Sequence, residues 1–229
     1  MRSSEIKRIL GRRRVIVTAG GTVEPIDPVR FIGNFSSGKM GLAIAGEFRR
    51  YTSRVLLVHA GMKVPVPRGL RALQALTVDD MYKALRTRLR PDSILIMSAA
   101  VSDYRVSRVR NRKMKKGHGR VLKLEPTIDI LQELSRKKRE ENIFIGFAAE
   151  TENTERNARA KLIKKGLDLI VANPVNRKNN PFGSDSTRVY FISRDRTTAF
   201  SRISKARIAG ELIKAVTDLL QKKACYERS

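Results

Sequence analysis

The chain is poor in the residues that build cross-links and metal clusters. Of its 229 residues only Cys225 is a cysteine, and only His59 and His118 are histidines. A single thiol excludes a disulfide framework, and so few soft ligands exclude a zinc cluster. No apolar run approaches the roughly 18 residues of a membrane span. The basic N-terminus meets a strand-like segment with no signal-peptide core between them. These absences point to a cytoplasmic globular protein. Acidic residues are also scarce, with 22 Asp and Glu against 48 Lys and Arg, a formal net charge of +26. The 41% of hydrophobic residues suffices for a core and excludes a disordered polycation.

Such an excess of positive charge suggests an anionic partner, either nucleic acid or a phosphorylated molecule. Its distribution is uneven. Residues 105–123 carry nine basic side chains and no acidic one (Arg105, Arg108, Arg110, Arg112, Lys113, Lys115, Lys116, Arg120 and Lys123). With Gly117 and Gly119 and few apolar residues, this run reads as a flexible basic flap. A second cluster, Arg2, Lys7, Arg8, Arg12, Arg13 and Arg14, faces only Glu5 and is expected to form a basic leader over residues 1–14. The rest of the charge reads as solvated helix faces. A basic nucleic-acid-binding α/β protein is the alternative this charge raises. Against it stand 6% aromatic residues and the lack of a helix-turn-helix, an RRM signature or a zinc finger.

Short apolar runs recur along the chain. They are Val15-Ile16-Val17, Val55-Leu56-Leu57-Val58, Ile94-Leu95-Ile96-Met97, Ile143-Phe144-Ile145 and Leu167-Asp168-Leu169-Ile170-Val171. Continuous apolar strands ending in small residues are typical of a parallel sheet covered on both faces. Residues 42–50, 78–88, 128–137 and 153–165 read as crossover helices. The alternation predicts a Rossmann-like, doubly wound, mainly parallel α/β sheet, as one domain over residues 15–229. Near the end, 189–193 and 197–201 flank a turn and predict an antiparallel hairpin. Residues 203–222 then form an amphipathic helix.

In such sheets ligands bind beyond the carboxyl ends of the strands. The segment Gly33-Asn34-Phe35-Ser36-Ser37-Gly38-Lys39-Met40-Gly41 nearly fits a P-loop, but Met40 stands where a hydroxyl must hold magnesium. What survives is phosphate binding through Ser36, Ser37, Gly38 and Lys39 at a helix N-terminus, against a plain capping turn. Gly20-Gly21 follows the first strand without a G-x-G-x-x-G pattern, so a conventional NAD site is disfavoured. The prolines of Glu24-Pro25-Ile26-Asp27-Pro28 prevent a smooth entry into helix. Asp103 follows another strand and could contact a ligand, cap a helix or pair with an arginine. Phe147 could stack on a flat base. Lys161 and Lys165 share one helix face. No Ser, Cys or His is placed as a nucleophilic dyad, so any reaction runs by positioning and charge stabilisation.

Taken together, these segments resemble the phosphopantothenate–cysteine ligase family. The matching elements run in family order: residues 18–22 with Glu24 to Arg30, then Asn34 with 36–41, 99–101 with Asp103-Tyr104, Lys113-Met114-Lys115, Gly146 to Thr151, and Phe182-Gly183-Ser184-Asp185. The family has Pro before the Asp of its nucleotide-contacting element, whereas this chain reads Pro126-Thr127-Ile128-Asp129-Ile130-Leu131. Ser102 and Thr187 replace a usual Ala and Asn.

The resemblance implies a ligase of coenzyme A biosynthesis. CTP would activate 4′-phosphopantothenate as an acyl-cytidylate with loss of pyrophosphate, with ATP as the other candidate nucleotide, and cysteine would displace CMP. It implies nucleotide contacts from Met97, Ser98, Ala99, Asp103, Lys113, Ile128, Asp129, Ile130, Leu131, Phe147, Lys161 and Lys165. It also implies substrate or phosphate contacts from Gly20, Gly21, Asn34, Ser36, Ser37, Gly38, Lys39 and Ala100. Lys113 would support the first step and Asn34 the second, with Mg2+ on the triphosphate. The family implies a homodimer. Its flavin-dependent decarboxylase half has no counterpart before Val15, so decarboxylation is expected from a separate protein.

Overall fold

The computed structural model describes residues 1–117, 119, 121–176 and 186–226. His118 and the Phe182 to Asp185 element lie outside them. The elements, in order, are α1 (Ser3–Leu10), β1 (Arg14–Ala19), β2 (Val23–Pro25), β3 (Phe31–Gly33), α2 (Lys39–Phe48), β4 (Val55–His59), β5 (Arg71–Gln74), α3 (Val78–Arg88) and β6 (Ser93–Met97). There follow β7 (Tyr104–Val106), β8 (Leu124–Pro126), α4 (Ile130–Ser135), β9 (Ile143–Glu150), α5 (Thr154–Lys164), β10 (Leu169–Pro174), β11 (Ser186–Ile192), β12 (Thr197–Ser204) and α6 (Lys205–Tyr226).

Eight strands form one sheet in the order β12-β11-β10-β9-β6-β1-β4-β5. The six from β10 to β5 run parallel, and β11 and β12 close that side as the expected antiparallel hairpin. The chain leaves β1 toward β4 and β5, then returns to β6 on the other side of β1. The strand order therefore reverses between β1 and β6, where a doubly wound sheet binds its ligands.

Strand periodicity splits the core in two. Val15, Val17 and Ala19 of β1 face a layer of α1, α2 and α6, where Ile44, Phe48, Leu212 and Val216 are buried. Ile16 faces the opposite layer, with Met81 and Leu85 of α3, Leu131 and Leu134 of α4, and Leu162 of α5. The N-terminus of α3 is closed by a reciprocal capping box between Thr77 and Asp80.

The first residues differ from the expected leader. Ile6 and Leu10 are buried in the α1, α2 and α6 layer, and Leu10 has no exposure at all. Thr52 Oγ1 donates to the Gly11 and Arg13 carbonyls, tying this segment to the domain. The arginines between them stay at the surface, where Arg14 meets Asp92.

The 105–123 run also differs from a free arm. Its ends belong to the two-stranded β7–β8 hairpin, where Arg105 pairs with Glu125 and Asp79. The Arg110 N–H donates to the Ile26 carbonyl, which docks the loop on the turn between β2 and β3. The outer edges of the sheet are irregular or polar. Arg202 of β12 has φ 49°, a left-handed conformation, and Arg71 and Gln74 of β5 are exposed.

Candidate active site

A cavity of about 590 Å³ opens at the carboxyl ends of β1, β6, β9 and β10. Its walls come from segments distant in sequence. The 34–41 turn and the start of α2 form one side, the 97–103 loop the back, and 127–131 with the α5 lysines the other side.

The turn before α2 depends on Gly38, whose φ of 78° is left-handed and open to glycine at little cost. Its N–H points to Ser36 Oγ at 3.4 Å, and the Lys39 N–H to Ser37 Oγ at 3.5 Å, both long contacts. The N-cap residue, Gly38, has no side chain to accept from α2, and Gly38, Met40 and Gly41 line the cavity, so the N-terminal peptide dipoles of the helix lie at its wall. Asn34 is oriented by an Nδ2 hydrogen bond to the Val101 carbonyl at 2.8 Å, and its amide borders the cavity.

The 97–103 loop is fastened to the end of β1 and to the loop after it. Ser98 Oγ donates to the Thr18 carbonyl at 2.5 Å, the Ala99 N–H to Thr18 Oγ1 at 3.0 Å, and the Ser102 N–H to Thr22 Oγ1 at 2.8 Å. Ser102 adds an Oγ donation to the Thr22 carbonyl at 3.2 Å, a bond that Ala could not make. Asp103 follows, and its carboxylate has no ion pair among the described residues. Among the described residues it neither caps a helix nor pairs with an arginine.

Across the cavity, Asp129 uses both oxygens. One accepts the Gln132 N–H at 3.1 Å to cap α4, and the other meets Lys165 Nζ at 2.9 Å. Lys161 Nζ lies 2.6 Å from the buried Glu150 carboxylate. Each lysine is therefore held in place by a carboxylate and partly neutralised by it, a geometry that positions the ammonium groups at the expense of net charge.

Met97, Ser98, Ala99, Ala100, Asp103, the 128–131 segment, Phe147, Lys161 and Lys165 all line this cavity, with Asn34, Ser36, Ser37 and Gly38. Four expected residues do not. Gly20 and Gly21 are used in joining loops: a Cβ on Gly20 would lie 2.4 Å from the Gly61 carbonyl oxygen, and one on Gly21 2.4 Å from that of Asn34. Their backbones bond to Ala100 and Gly61. Lys39 and Lys113 lie outside the lining.

Lys113 sits beside an anchor that sequence reasoning missed. The Asp27 side chain accepts the Val29 and Arg30 N–H groups, the Arg30 guanidinium and the Met114 N–H. Arg30 Nη2 in turn donates to the Met114 carbonyl at 2.8 Å. The Arg30 guanidinium, with the backbone N–H donors, holds the Asp27 carboxyl far below the usual carboxylate range, outweighing its burial. Asn173 and Lys205 also line the cavity and were not anticipated. Asn173 is buried, with its Nδ2 directed to Thr187 Oγ1 at 3.3 Å, so the side chain at the Asn-to-Thr departure supports a cavity residue. His59 ends β4 with its Nδ1 3.1 Å from the Ala60 carbonyl and takes no part in the cavity.

The fold and this cavity define a Rossmann-like α/β domain with its ligand site at the topological switch point. Residues 10–220 match the DNA/pantothenate metabolism flavoprotein C-terminal domain, and the chain belongs to that family. It is 38% identical over 230 residues to the coenzyme A biosynthesis bifunctional protein CoaBC of Bacillus subtilis (strain 168), across 99% of this chain and 56% of that protein. The chain spans about half the length of the curated relatives it matches. The crystal structure of the C-terminal domain of a CoaBC protein superposes with a TM-score of 0.79 at 34% identity, covering 93% of this chain and 98% of that one. A Cab2 mutant in complex with phosphopantothenate-cysteine shares the fold, with a TM-score of 0.74 at 18% identity over 99% of this chain and 94% of that one.

Proposed function

We propose that the chain is a phosphopantothenate–cysteine ligase that uses CTP. The observation carrying this reading is the convergence of Asn34, the uncapped α2 N-terminus, Asp103 and the Lys161–Lys165 pair around one cavity at the switch point. A phosphorylated acid and a nucleoside triphosphate both need fixed positive dipoles and cations, and that surface supplies them.

In the first step a carboxylate oxygen of 4′-phosphopantothenate attacks the α-phosphorus of CTP. The bond to the β-phosphate oxygen breaks and pyrophosphate leaves. In the second, the cysteine amine attacks the acyl carbon, loses a proton, and CMP departs. Lys161 and Lys165 hold the nucleotide, Phe147 packs near its base, and Asn34 orients the acyl intermediate. Lys113 is brought over the phosphates by its loop. Mg2+ would enter with the triphosphate. Of the two carboxylates lining the cavity, Asp103 is free of an ion pair among the described residues, which fits a cation that takes most of its ligands from phosphate and water. That cation would offset charge on the phosphate oxygens.

The reading extends to a cytoplasmic homodimer whose product passes to a phosphopantothenoylcysteine decarboxylase. Val29, Phe31 and Phe35 are exposed on the β2–β3 side of the cavity, and Phe35 is 84% exposed, which supports a second copy covering this face. No described helix is long and apolar enough to cross a membrane.

The test is pyrophosphate release that requires both phosphopantothenate and CTP, followed by CMP release when cysteine is added. No product with CTP, ATP or any other nucleoside triphosphate would overturn the reading. Nucleic acid is disfavoured as the partner, and binding to RNA or DNA that persists at physiological salt and competes with CTP would reverse that judgement.

A further inference from the structure

A second cavity, of about 460 Å³, lies at the opposite edge of the sheet. It is bounded by the turn after α4, the turn between β11 and β12, the residue leading into β10 and the last turns of α6. The strands between the two cavities are about 17 Å long at β10, so this pocket is separate from the site of the proposed reaction.

Five basic side chains line it against three acidic ones. The floor is Asp168, whose carboxylate accepts the Phe144 N–H and meets two ammonium groups, Lys138 at 2.6 Å and Lys223 at 3.2 Å. One carboxylate between two lysines leaves an uncompensated positive charge at the base. Above it, Arg139 and Arg194 carry no side-chain hydrogen bond or ion pair among the described residues. The turn presenting Arg194 is itself fixed, since Arg159 donates to the Arg194 carbonyl at 3.2 Å and to Thr197 Oγ1 at 3.0 Å. Lys138 is buried enough that desolvation pushes its ammonium below the usual lysine value despite Asp168, and the charges of Lys223 and Arg194 add to that push.

We propose that this amino-edge cavity binds a small phosphorylated anion, held between the Arg139 and Arg194 guanidinium groups above the Asp168-anchored lysines. Guanidinium groups match phosphate oxygens in pairs, and a ligand with two or more negative charges neutralises the surplus. The concave shape and the volume suit one small molecule instead of a nucleic-acid strand. The site does not depend on the ligase reading, because none of its residues borders the first cavity.

The test uses the full chain and labelled inorganic pyrophosphate in equilibrium dialysis at low salt. The Lys161→Ala/Lys165→Ala variant removes two of the three lysines that line the first cavity, and the Arg139→Ser/Arg194→Ser variant removes both arginines of the second. Both arginines are exposed, so their replacement leaves the core intact. Expected is a site that survives in the lysine variant and weakens about tenfold or more in the arginine variant. Equal binding by the arginine variant and the unmodified chain overturns the proposal. So does a site that a single-stranded oligonucleotide fills more tightly than pyrophosphate does. If pyrophosphate binding vanishes in the lysine variant, the second cavity is not an anion site, whatever the chain catalyses.

Discussion

Asp27 and Met114 stand 87 positions apart and are joined by a 3.2 Å hydrogen bond from the Met114 backbone to the Asp27 carboxylate. That bond sets where the basic loop leaves the body of the protein, one residue after Lys113. Asp27→Asn replaces an acceptor facing five donor contacts with an amide that must turn an N–H toward some of them. The variant is expected to lose at least about tenfold in the first half-reaction. The folded core should be retained, as measured by pyrophosphate release and by thermal melting. An unchanged rate would show that the anchor does not position Lys113.

The same carboxylate gives a pH signature. Its pKa is depressed on folding, so its stabilisation is complete above the ordinary aspartate value of about 4 and is lost as pH falls below it. The difference in melting temperature between the unmodified chain and Asp27→Asn should therefore be constant near neutrality and shrink in acid. A gap that stays constant from neutrality down to about pH 2 would place the effect elsewhere.

Glu24 behaves in the opposite sense. Burial raises its pKa more than the hydrogen bond from the Val78 N–H lowers it. A raised carboxyl favours the folded state when protonated, and that contribution is lost as pH rises through the folded value. Glu24→Gln keeps an acceptor for Val78 and removes the buried charge. It should melt higher than the unmodified chain at pH 7, with the advantage fading as both approach pH 4. A lower melting point at pH 7 would mean that the ionised form is required.

Among the site residues, Lys113→Ala should abolish pyrophosphate release, whereas Asn34→Ala should permit it and let the acyl-cytidylate accumulate. Equal levels of the intermediate in the two variants, measured by mass spectrometry after a quench, would refute the division of labour. Asp129→Asn frees Lys165 from its ion pair, so nucleotide KM should move several-fold with little change in kcat.

Leu10→Ala should cost about 2–5 kcal/mol in chemical denaturation, the range for a fully buried leucine, if α1 belongs to the folding unit. A loss under about 0.5 kcal/mol, typical of a surface change, would return those residues to the status of a leader.

The strands were legible because each central one is an unbroken apolar run that needs helices on both faces. Helix α1 was not, since Ile6 and Leu10 are its only buried residues and Glu5, Lys7 and Arg8 between and beside them advertise charge. Strand β5 was hidden by its polar, exposed edge position. The cavity wall was legible at Asp103 and Phe147 because the sheet type dictates toward which end of the strands a cavity opens. Gly20 and Gly21 misled for a physical reason: a small residue lets a ligand approach, and it equally lets another loop approach. The Met114 N–H reaches Asp27 across 87 positions and Asn173 meets Thr187 on the neighbouring strand, contacts that no local spacing encodes.

The two irregular edges of the sheet bear on the surplus charge that no reaction uses. An open sheet ends in rows of unpaired peptide groups, which are templates for strand addition by another chain. Here one edge carries Arg202 in a left-handed kink and the other exposes Arg71. A charged side chain at each border, on a molecule of net charge +26, makes lateral stacking of sheets costly. An arginine at each border thus works against edge-to-edge pairing of concentrated copies, whatever the rest of the charge does.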